Sequence, residues 1–423
     1  MIAEFTVENF RSFKEKKTFS LISTKDKELS ESNTFESGKN RFLKSAVLYG
    51  ANASGKSNFF NALLFFLVFS VFSGPRKQAK DMIETEPFAL SKQKESSPSS
   101  FEIIFFIKED NEEIRYRYGF SVNKEHILSE YLFAIINVRE VLLFSRSFQQ
   151  IDYSPYFKEG IRGKRSVRNN CSFLSVCAQN NGEISTRIIE YFRRIGFLSG
   201  LYEPSFFDDE DDFPDYKNKI IEFLKKADFQ INDYKTEIVP VFSIFPDKEL
   251  SAYFKNQYPE KKIEKIFFGH TYYDGENVIG EKYLEESVES AGTRKLFFYS
   301  KYIIDALYNG TPLFIDEFDT ALHPLIIENI IKLFNSPEHN PKNAQLIISC
   351  HAVNIMTNKL LRRDQIWFCE KDQYGATDLY SLVEYKDDEK GSVRKDSSYN
   401  KNYLQGKYGA IPYIDEILFQ SGF

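Results

Sequence analysis

Apolar and polar residues alternate at the start of the chain and again between residues 101 and 138. The first stretch, Ile2 to Phe10, has the two-residue period of a half-buried strand. Three later runs repeat that period: 101–108, 114–122 and 127–138. Asn111, between the first two runs, fits a hairpin turn, so the pattern predicts an antiparallel meander.

Unbroken apolar runs predict a buried core of parallel strands. These runs are 46–49, 312–315 and 345–349. Helical spacing predicts helices at 59–72, 180–198, 216–226 and 290–308. Further strands are expected within 236–285, and loops at 74–100 and 150–170. Strands alternating with helices favour an α/β fold.

Two charged segments have a functional and a simpler interpretation. The basic residues of 150–170 could contact a phosphate backbone, although a solvated loop is the simpler interpretation; they are Arg162, Lys164, Arg165 and Arg168. The acidic run 208–212 could hold a metal, although an exposed loop explains it as well.

The first core run leads into the pattern G-x-x-x-x-G-K-S, and an apolar helix follows. The residues are Gly50, Ala51, Asn52, Ala53, Ser54, Gly55, Lys56 and Ser57, with Asn58 next. The glycines let backbone N–H groups point at phosphate oxygens, and the helix N-terminus adds partial positive charge there. Lys56 would reach the β- and γ-phosphates, and the Ser57 hydroxyl would ligate magnesium. The pattern therefore predicts a nucleotide-phosphate site.

The next two core strands end in polar residues. Asp316 would hold the magnesium opposite Ser57, and Glu317 would polarise the attacking water. The strand at 345–349 ends at Cys350 and His351. Because α/β sheets gather ligand-binding residues at the carboxyl ends of strands, we expect His351 to face the γ-phosphate.

Composition and cysteine spacing indicate which classes of protein this chain could belong to. The chain is 42% hydrophobic and 27% charged, and its net charge of −6 gives no general attraction to nucleic acid. Its four cysteines form no C-x-x-C pair, which argues against a zinc ribbon or a redox motif and fits a reducing cytosol. The N-terminus lacks signal-peptide order, and the longest apolar run, 62–72, is too short to span a bilayer. We expect a cytoplasmic protein without a membrane partner.

The order of these motifs resembles the ABC/SMC-type ATPase heads. The resemblance implies a P-loop NTPase fold of α/β class, with a mixed or parallel core sheet, an antiparallel β-subdomain and a helical insertion. Two such heads sandwich two ATP molecules, each held by the P-loop of one head and the signature helix of the other. Ser290, Gly292 and Thr293 would be that signature, Asp319 the D-loop residue and His351 the switch histidine.

More narrowly, the chain resembles the compact RloA-like and PARIS-type ATPases of bacterial anti-phage loci. The segments that carry this likeness are 5–13, the P-loop and 403–412. By this resemblance Arg11, in the first segment, counts among the nucleotide-binding residues. The short S-A-G-T signature and the lack of a clear Q-loop glutamine depart from the wider family, with Gln78 and Gln93 the candidates. No zinc hook is present, and Asp415 and Glu416 alone do not make a Toprim site.

The resemblance implies three parts and a function. The parts are an N-terminal lobe at 1–165, a mostly helical insertion at 166–262 and a C-terminal lobe at 263–423. The function would be an ATPase with ATP and Mg²⁺ as cofactors, acting as a homodimer or an oligomer of dimers. It would regulate a separately encoded nuclease or Toprim-type effector in phage defence. The alternatives are a RecF-like DNA repair ATPase and a nucleotide-binding scaffold without turnover, which the adjacent Asp316 and Glu317 disfavour.

Overall fold

The computed structural model describes residues 1–76, 78, 80–109, 112–136, 138–199, 216–241, 255, 260, 262–387 and 391–412. The chain forms two compact units: Met1–Tyr202, Asp305–Thr320 and Ile327–Phe423 make unit 1, and Glu203–Ile304 and Ala321–Ile326 make unit 2. Asn111, the acidic run 208–212, Asp415 and Glu416 lie outside the described residues. The three-part division at residues 165 and 262 stays a prediction.

The described residues form the following elements. The strands are β1 (Ile2–Glu8), β2 (Lys17–Ser20), β3 (Thr34–Ser37), β4 (Asn40–Leu43), β5 (Ser45–Tyr49), β6 (Ser99–Glu109), β7 (Glu112–Val122), β8 (Ile127–Ile136), β9 (Arg139–Ser147), β10 (Gln150–Tyr153), β11 (Gly196–Ser199), β12 (Asp233–Pro240), β13 (Lys262–Asp274), β14 (Asn277–Glu285), β15 (Leu313–Asp316), β16 (Leu346–Ser349), β17 (Ile366–Lys371), β18 (Thr377–Ser381), β19 (Lys386–Asp387) and β20 (Gly391–Ser392). The helices are α1 (Ser30–Asn33), α2 (Lys56–Arg76), α3 (Lys92–Glu95), α4 (Gly160–Ser166), α5 (Phe173–Gln179), α6 (Glu183–Arg193), α7 (Tyr216–Lys226), α8 (Ala291–Asn309), α9 (Pro324–Asn335) and α10 (Tyr399–Leu404). Single turns of 3-10 helix lie at Glu286–Val288, Val353–Ile355 and Arg363–Gln365.

A six-stranded sheet forms the core of unit 1. Its strand order is β11-β15-β16-β5-β17-β18, and every pair is parallel except the last. Strand β5 lies near the centre, and all five of its residues are buried. The predicted parallel strands β5, β15 and β16 are confirmed as neighbours. Their carboxyl ends therefore meet at one edge of the sheet.

A seven-stranded antiparallel sheet lies beside the core, in the order β10-β9-β8-β7-β6-β1-β2. It contains the predicted meander, which continues beyond β8 into β9 and β10.

Helix α2 joins the two sheets into one hydrophobic core. Its Phe60 ring contacts Phe314 of the parallel sheet, and its Phe66 ring contacts Phe5 and Phe120 of the antiparallel sheet. Among the described residues α2 alone is long and apolar enough to cross a membrane by length and composition. Because 61% of its most apolar window is buried inside the fold, it serves as a core helix.

Three sequence predictions in unit 1 were wrong at their boundaries. The segment 150–170 is not a loop, since it contains β10 and α4. The helix predicted to reach residue 198 ends at Arg193, and the next residues form β11 because they pair with β15. Helix α2 continues through Pro75 to Arg76, and the Arg168 guanidinium donates to the Gly74 carbonyl oxygen there (2.9 Å). In the second and third cases contacts with distant segments override the local signal.

Unit 2 is built from α7, a three-stranded antiparallel sheet and residues 291–304 of α8. The Phe297 ring packs edge-on against Phe268 (4.8 Å) and Tyr234 (4.9 Å) of that sheet. The predicted strands within 236–285 and the predicted helices at 216–226 and 290–308 are confirmed.

Candidate functional site

The loop between β5 and α2 has the backbone that a phosphate cradle requires. Gly50 and Gly55 adopt φ angles of 151° and 113°, which L side chains rarely adopt, and Ala53 adopts 60°. A Cβ on Gly50 would lie 2.4 Å from the Cys369 carbonyl oxygen, and one on Gly55 would lie 2.2 Å from Thr377 Oγ1. Both glycines are therefore required by their neighbours as well as by their dihedral angles.

Lys56 folds back over this loop. Its Nζ donates to the carbonyl oxygens of Gly50 (2.9 Å) and Ala51 (3.1 Å). Burial lowers the pKa of Lys56, and Cys369 and the carboxylates of Asp316, Glu317 and Asp319 act in the opposite direction. The ammonium thus lies in the field of three carboxylates, beside the loop whose amide groups could receive an anion.

The other loop residues differ in exposure. Ser54 is 4% exposed, and its hydroxyl has no hydrogen-bond partner among the described residues. Ser57 and Asn58 are half-buried, while Asn52 is exposed. A buried hydroxyl without a partner, beside two glycines and a lysine, fits a loop that receives phosphate oxygens from a ligand.

One serine bonds to both Asp316, the last residue of β15, and the Glu317 backbone. Ser349, the last residue of β16, donates its hydroxyl to Asp316 Oδ1 and accepts a hydrogen bond from the Glu317 backbone N–H (2.7 Å). Asp316 is 7% exposed, and Glu317 is half-buried with φ 52°. Sequence analysis missed Ser349 because its role depends on the pairing of two strands.

A second bond joins the ends of the same two strands. The His351 backbone N–H donates to Asp319 Oδ2 (2.8 Å). The imidazole of His351 is exposed, and burial of part of it, followed by the Lys56 charge, lowers its pKa. Neutral histidine is therefore the prevailing form near pH 7.

The loop between β5 and α2 and His351 line one cavity of about 770 Å³. Tyr403, Leu404 and residues 410–412, from the segment singled out in the sequence, also line this cavity. The Tyr403 hydroxyl donates to the Ala410 carbonyl oxygen (2.9 Å), and its ring stacks on Phe368 of β17 (5.4 Å). Sequence analysis did not place this segment at the site.

Arg11 has a partner of its own. Its guanidinium donates to both carboxylate oxygens of Glu86, at 2.9 and 3.1 Å. Both residues line a smaller cavity of about 390 Å³ together with Ser12 and Asn58. The structure therefore places Arg11 close to the helix that follows the loop. Its positive charge is paired with the Glu86 carboxylate.

The three signature candidates lie together in unit 2. The Thr293 backbone N–H donates to Ser290 Oγ (3.0 Å), so Ser290 caps α8. A Cβ on Gly292 would lie 2.7 Å from the Ala321 carbonyl oxygen, so no larger residue fits there without a shift.

Comparison with known proteins gave one family and similar solved structures. A family model described as "AAA domain, putative AbiEii toxin, Type IV TA system" matches residues 45–357. No curated protein matches the sequence. A solved structure described as "Crystal structure of the SmcHead bound to the C-winged helix domain of ScpA" is 12% identical, with 90% of this chain and 97% of that chain covered and a TM-score of 0.38. A structure of cbiO1 from Clostridium perfringens, described as part of the ABC transporter complex cbiONQ, is 11% identical, with 90% of each chain covered and a TM-score of 0.30.

Proposed function

Because this chain belongs to the family described as AAA domain, putative AbiEii toxin, Type IV TA system, we propose that it is a Mg-ATP-dependent switch in anti-phage defence. Its fold is that of a P-loop NTPase head of the ABC/SMC type, as predicted, and the family is one of ATPases. The observation that carries the proposal is the meeting of the phosphate-binding loop, two carboxylates and a histidine at one edge of the parallel sheet.

Each side chain at this edge has a defined task in the proposal. The loop amides and Lys56 bind the phosphates, and Glu317 accepts a proton from the attacking water. His351, neutral near pH 7, donates its ring N–H to a γ-phosphate oxygen. Ser349 holds the Asp316 carboxylate and the Glu317 backbone, since its hydroxyl bonds to both.

Magnesium fits this donor set only together with the nucleotide. The described residues contain no group of three histidine, cysteine, aspartate or glutamate side chains that could hold a metal ion. Mg²⁺ is usually bound by one or two protein ligands plus substrate phosphates and waters, and Ser57 and Asp316 would supply those two. The ion would neutralise phosphate charge during hydrolysis.

Dimerisation would couple ATP binding to the control of the effector. In the proposal Ser290, Gly292 and Thr293 of one subunit complete the site of the other subunit, head to head. A ligand that binds only the dimer stabilises the dimer, so ATP would hold the two heads together and hydrolysis would release them.

The proposed output is control of a separately encoded effector nuclease in the cytoplasm. The family description, which names a putative toxin of a type IV toxin–antitoxin system, supports a role in defence. The likeness of segments 5–13 and 403–412 to RloA-like and PARIS-type ATPases points in the same direction. The second candidate is a RecF-like repair ATPase that binds DNA as an ATP-bound dimer.

The first experiment replaces the proposed base. Glu317→Gln keeps the size of the side chain and removes the proton acceptor, so ATP should still bind while turnover falls roughly 10²- to 10⁴-fold. Light scattering after size exclusion should then show an ATP-dependent dimer. Glu338→Gln is the matched control, because Glu338 is exposed in the loop after α9. Normal hydrolysis by Glu317→Gln would refute the assignment of the base.

The second experiment identifies the molecule that the ATPase acts on. Tagged wild-type and Glu317→Gln proteins are purified from cells that carry the native operon. A stoichiometric partner with nuclease residues supports the defence switch. A lone ATP-dependent dimer that binds duplex DNA, with affinity falling steeply as salt rises, supports the repair ATPase instead.

A further inference from the structure

A buried chain of hydrogen bonds lies directly behind the phosphate-binding loop. Thr377, the first residue of β18, is 3% exposed, and Ser12 is 7% exposed. Thr377 Oγ1 lies 2.8 Å from Ser12 Oγ and 2.8 Å from the Ser54 carbonyl oxygen. Asn58 Nδ2 donates to Ser12 Oγ (2.6 Å). The chain therefore runs from α2 through two hydroxyls back to the loop.

The Thr377 hydroxyl is the donor at the centre of this cluster. Its single proton lies between two acceptors, Ser12 Oγ and the Ser54 carbonyl oxygen. Ser12 Oγ also accepts from Asn58 Nδ2. Removing the Thr377 hydroxyl would therefore take the same donor away from the loop carbonyl and from Ser12.

The same residues also confine the loop by contact. Thr377 Oγ1 and Cγ2 lie 2.2 and 2.7 Å from the position that a Cβ on Gly55 would take. The Thr377 backbone N–H donates to the Ser12 carbonyl oxygen (2.7 Å), which fixes β18 against the N-terminal segment. Thr377 thus touches the loop on the glycine that precedes Lys56.

We propose that Thr377 is a positioning residue for the phosphate-binding loop, acting with Ser12. It holds the Ser54 carbonyl and Gly55 so that the following amide groups already point at the phosphate position before nucleotide arrives. This inference rests on the proposed nucleotide-binding function. A preformed loop binds more tightly because less ordering is required on binding, so Thr377 should affect affinity rather than the chemical step.

The test compares three variants with the wild type. Thr377→Val keeps the shape and removes the hydroxyl, Thr377→Ser keeps the hydroxyl, and Thr18→Val is the control. Thr18 pairs its hydroxyl with Thr6 (2.9 Å) and is exposed on β2. Hydrogen exchange of the 50–58 peptide is measured without nucleotide, and then the affinity for ATP and the kcat and KM of hydrolysis.

We expect Thr377→Val to speed exchange of the loop peptide several-fold in the nucleotide-free protein. Loss of one buried hydrogen bond should weaken ATP binding by about tenfold. KM should rise accordingly while kcat stays within about twofold of the wild type. Thr377→Ser should restore both exchange and affinity, and Thr18→Val should change neither.

Two results would overturn the inference. One is unchanged exchange and affinity in Thr377→Val. The other is a fall in kcat without a rise in KM. If Thr377→Val does not fold, Ser12→Ala tests the same cluster, because it removes the acceptor that joins Thr377 to Asn58, and it should give the same two changes. Exchange is read without nucleotide, so failure of the wild type to bind ATP would refute the proposed function while the loop measurement still decides the role of Thr377.

Discussion

Replacing Gly50 with alanine tests how tightly β17 confines the phosphate-binding loop. The new methyl group would lie 2.4 Å from the Cys369 carbonyl oxygen and 2.6 Å from Ser54 Oγ. Real Cβ contacts stay beyond 3.0 Å, so the loop or β17 must move by at least 0.6 Å, the difference between 3.0 and 2.4 Å. Because the first obstacle is backbone in a paired strand, no side chain can rotate away to relieve it.

Gly280 is a matched control for the backbone conformation. Its φ is 153°, against 151° for Gly50, and nothing lies within 4 Å of its added Cβ. Alanine at such a φ costs about 1–3 kcal/mol of stability in either place. Overpacking against Cys369 should add about 1–3 kcal/mol for Gly50 alone. The expected total is therefore about 2–6 kcal/mol for Gly50→Ala, against about 1–3 kcal/mol for Gly280→Ala.

The free energy of unfolding is measured in urea by far-UV circular dichroism for both variants. Fluorescence of the single tryptophan, Trp367, adds a local probe, since Trp367 is 3% exposed in β17 and is in register with Leu48 of β5. If Gly50→Ala loses no more stability than Gly280→Ala, the Cys369 carbonyl does not confine the loop, and the steric argument fails.

Three further predictions concern other parts of unit 1. Arg362→Met should lower the free energy of unfolding by about 3–5 kcal/mol, measured by urea denaturation. The buried Arg362 guanidinium pairs with Asp364 at 2.7 Å, and its loss leaves that carboxylate without its cation. A decrease under about 1 kcal/mol would contradict this. Burial and the Lys56 charge lower the pKa of His351, so the unfolded chain takes up a proton below about pH 6.5 that the folded protein resists. The melting temperature should therefore fall from pH 7.5 to 5.5 more steeply in the wild type than in His351→Gln, and equal slopes would count against the shift. All four thiols are buried, and burial raises the pKa of Cys369 to about 12. A thiol reagent at pH 8 should therefore react with the four thiols only after denaturation. Rapid reaction of the native protein would show that the buried strands open.

Local pattern was enough to predict much of the fold and the candidate site. The apolar run of β5, the glycine spacing and the apolar helix α2 predict strand, loop and helix because each depends on neighbours within a few residues. The carboxylates after β15 and the histidine after β16 were expected at one edge since parallel strands end on the same side. In unit 2 the helix predicted at 290–308 is likewise local, since its cap Ser290 bonds three residues ahead.

Tertiary structure alone decided what lies around the loop. Thr377 reaches Ser12 across 365 residues, and Ser349 holds Asp316 across 33. Residues 196–199 became strand β11 rather than helix because β15 offered unpaired backbone groups at the edge of the sheet. The hydroxyl side chains of Thr377, Ser12 and Ser349 follow no periodic pattern in the sequence. Their partners therefore depend on which distant groups the fold brings within hydrogen-bond distance. The spacing of residues along the chain is written in the sequence, so elements that depend on near neighbours can be predicted from it. Contacts between residues hundreds of positions apart form only when the whole chain folds to bury its apolar surface, so only the tertiary structure shows them.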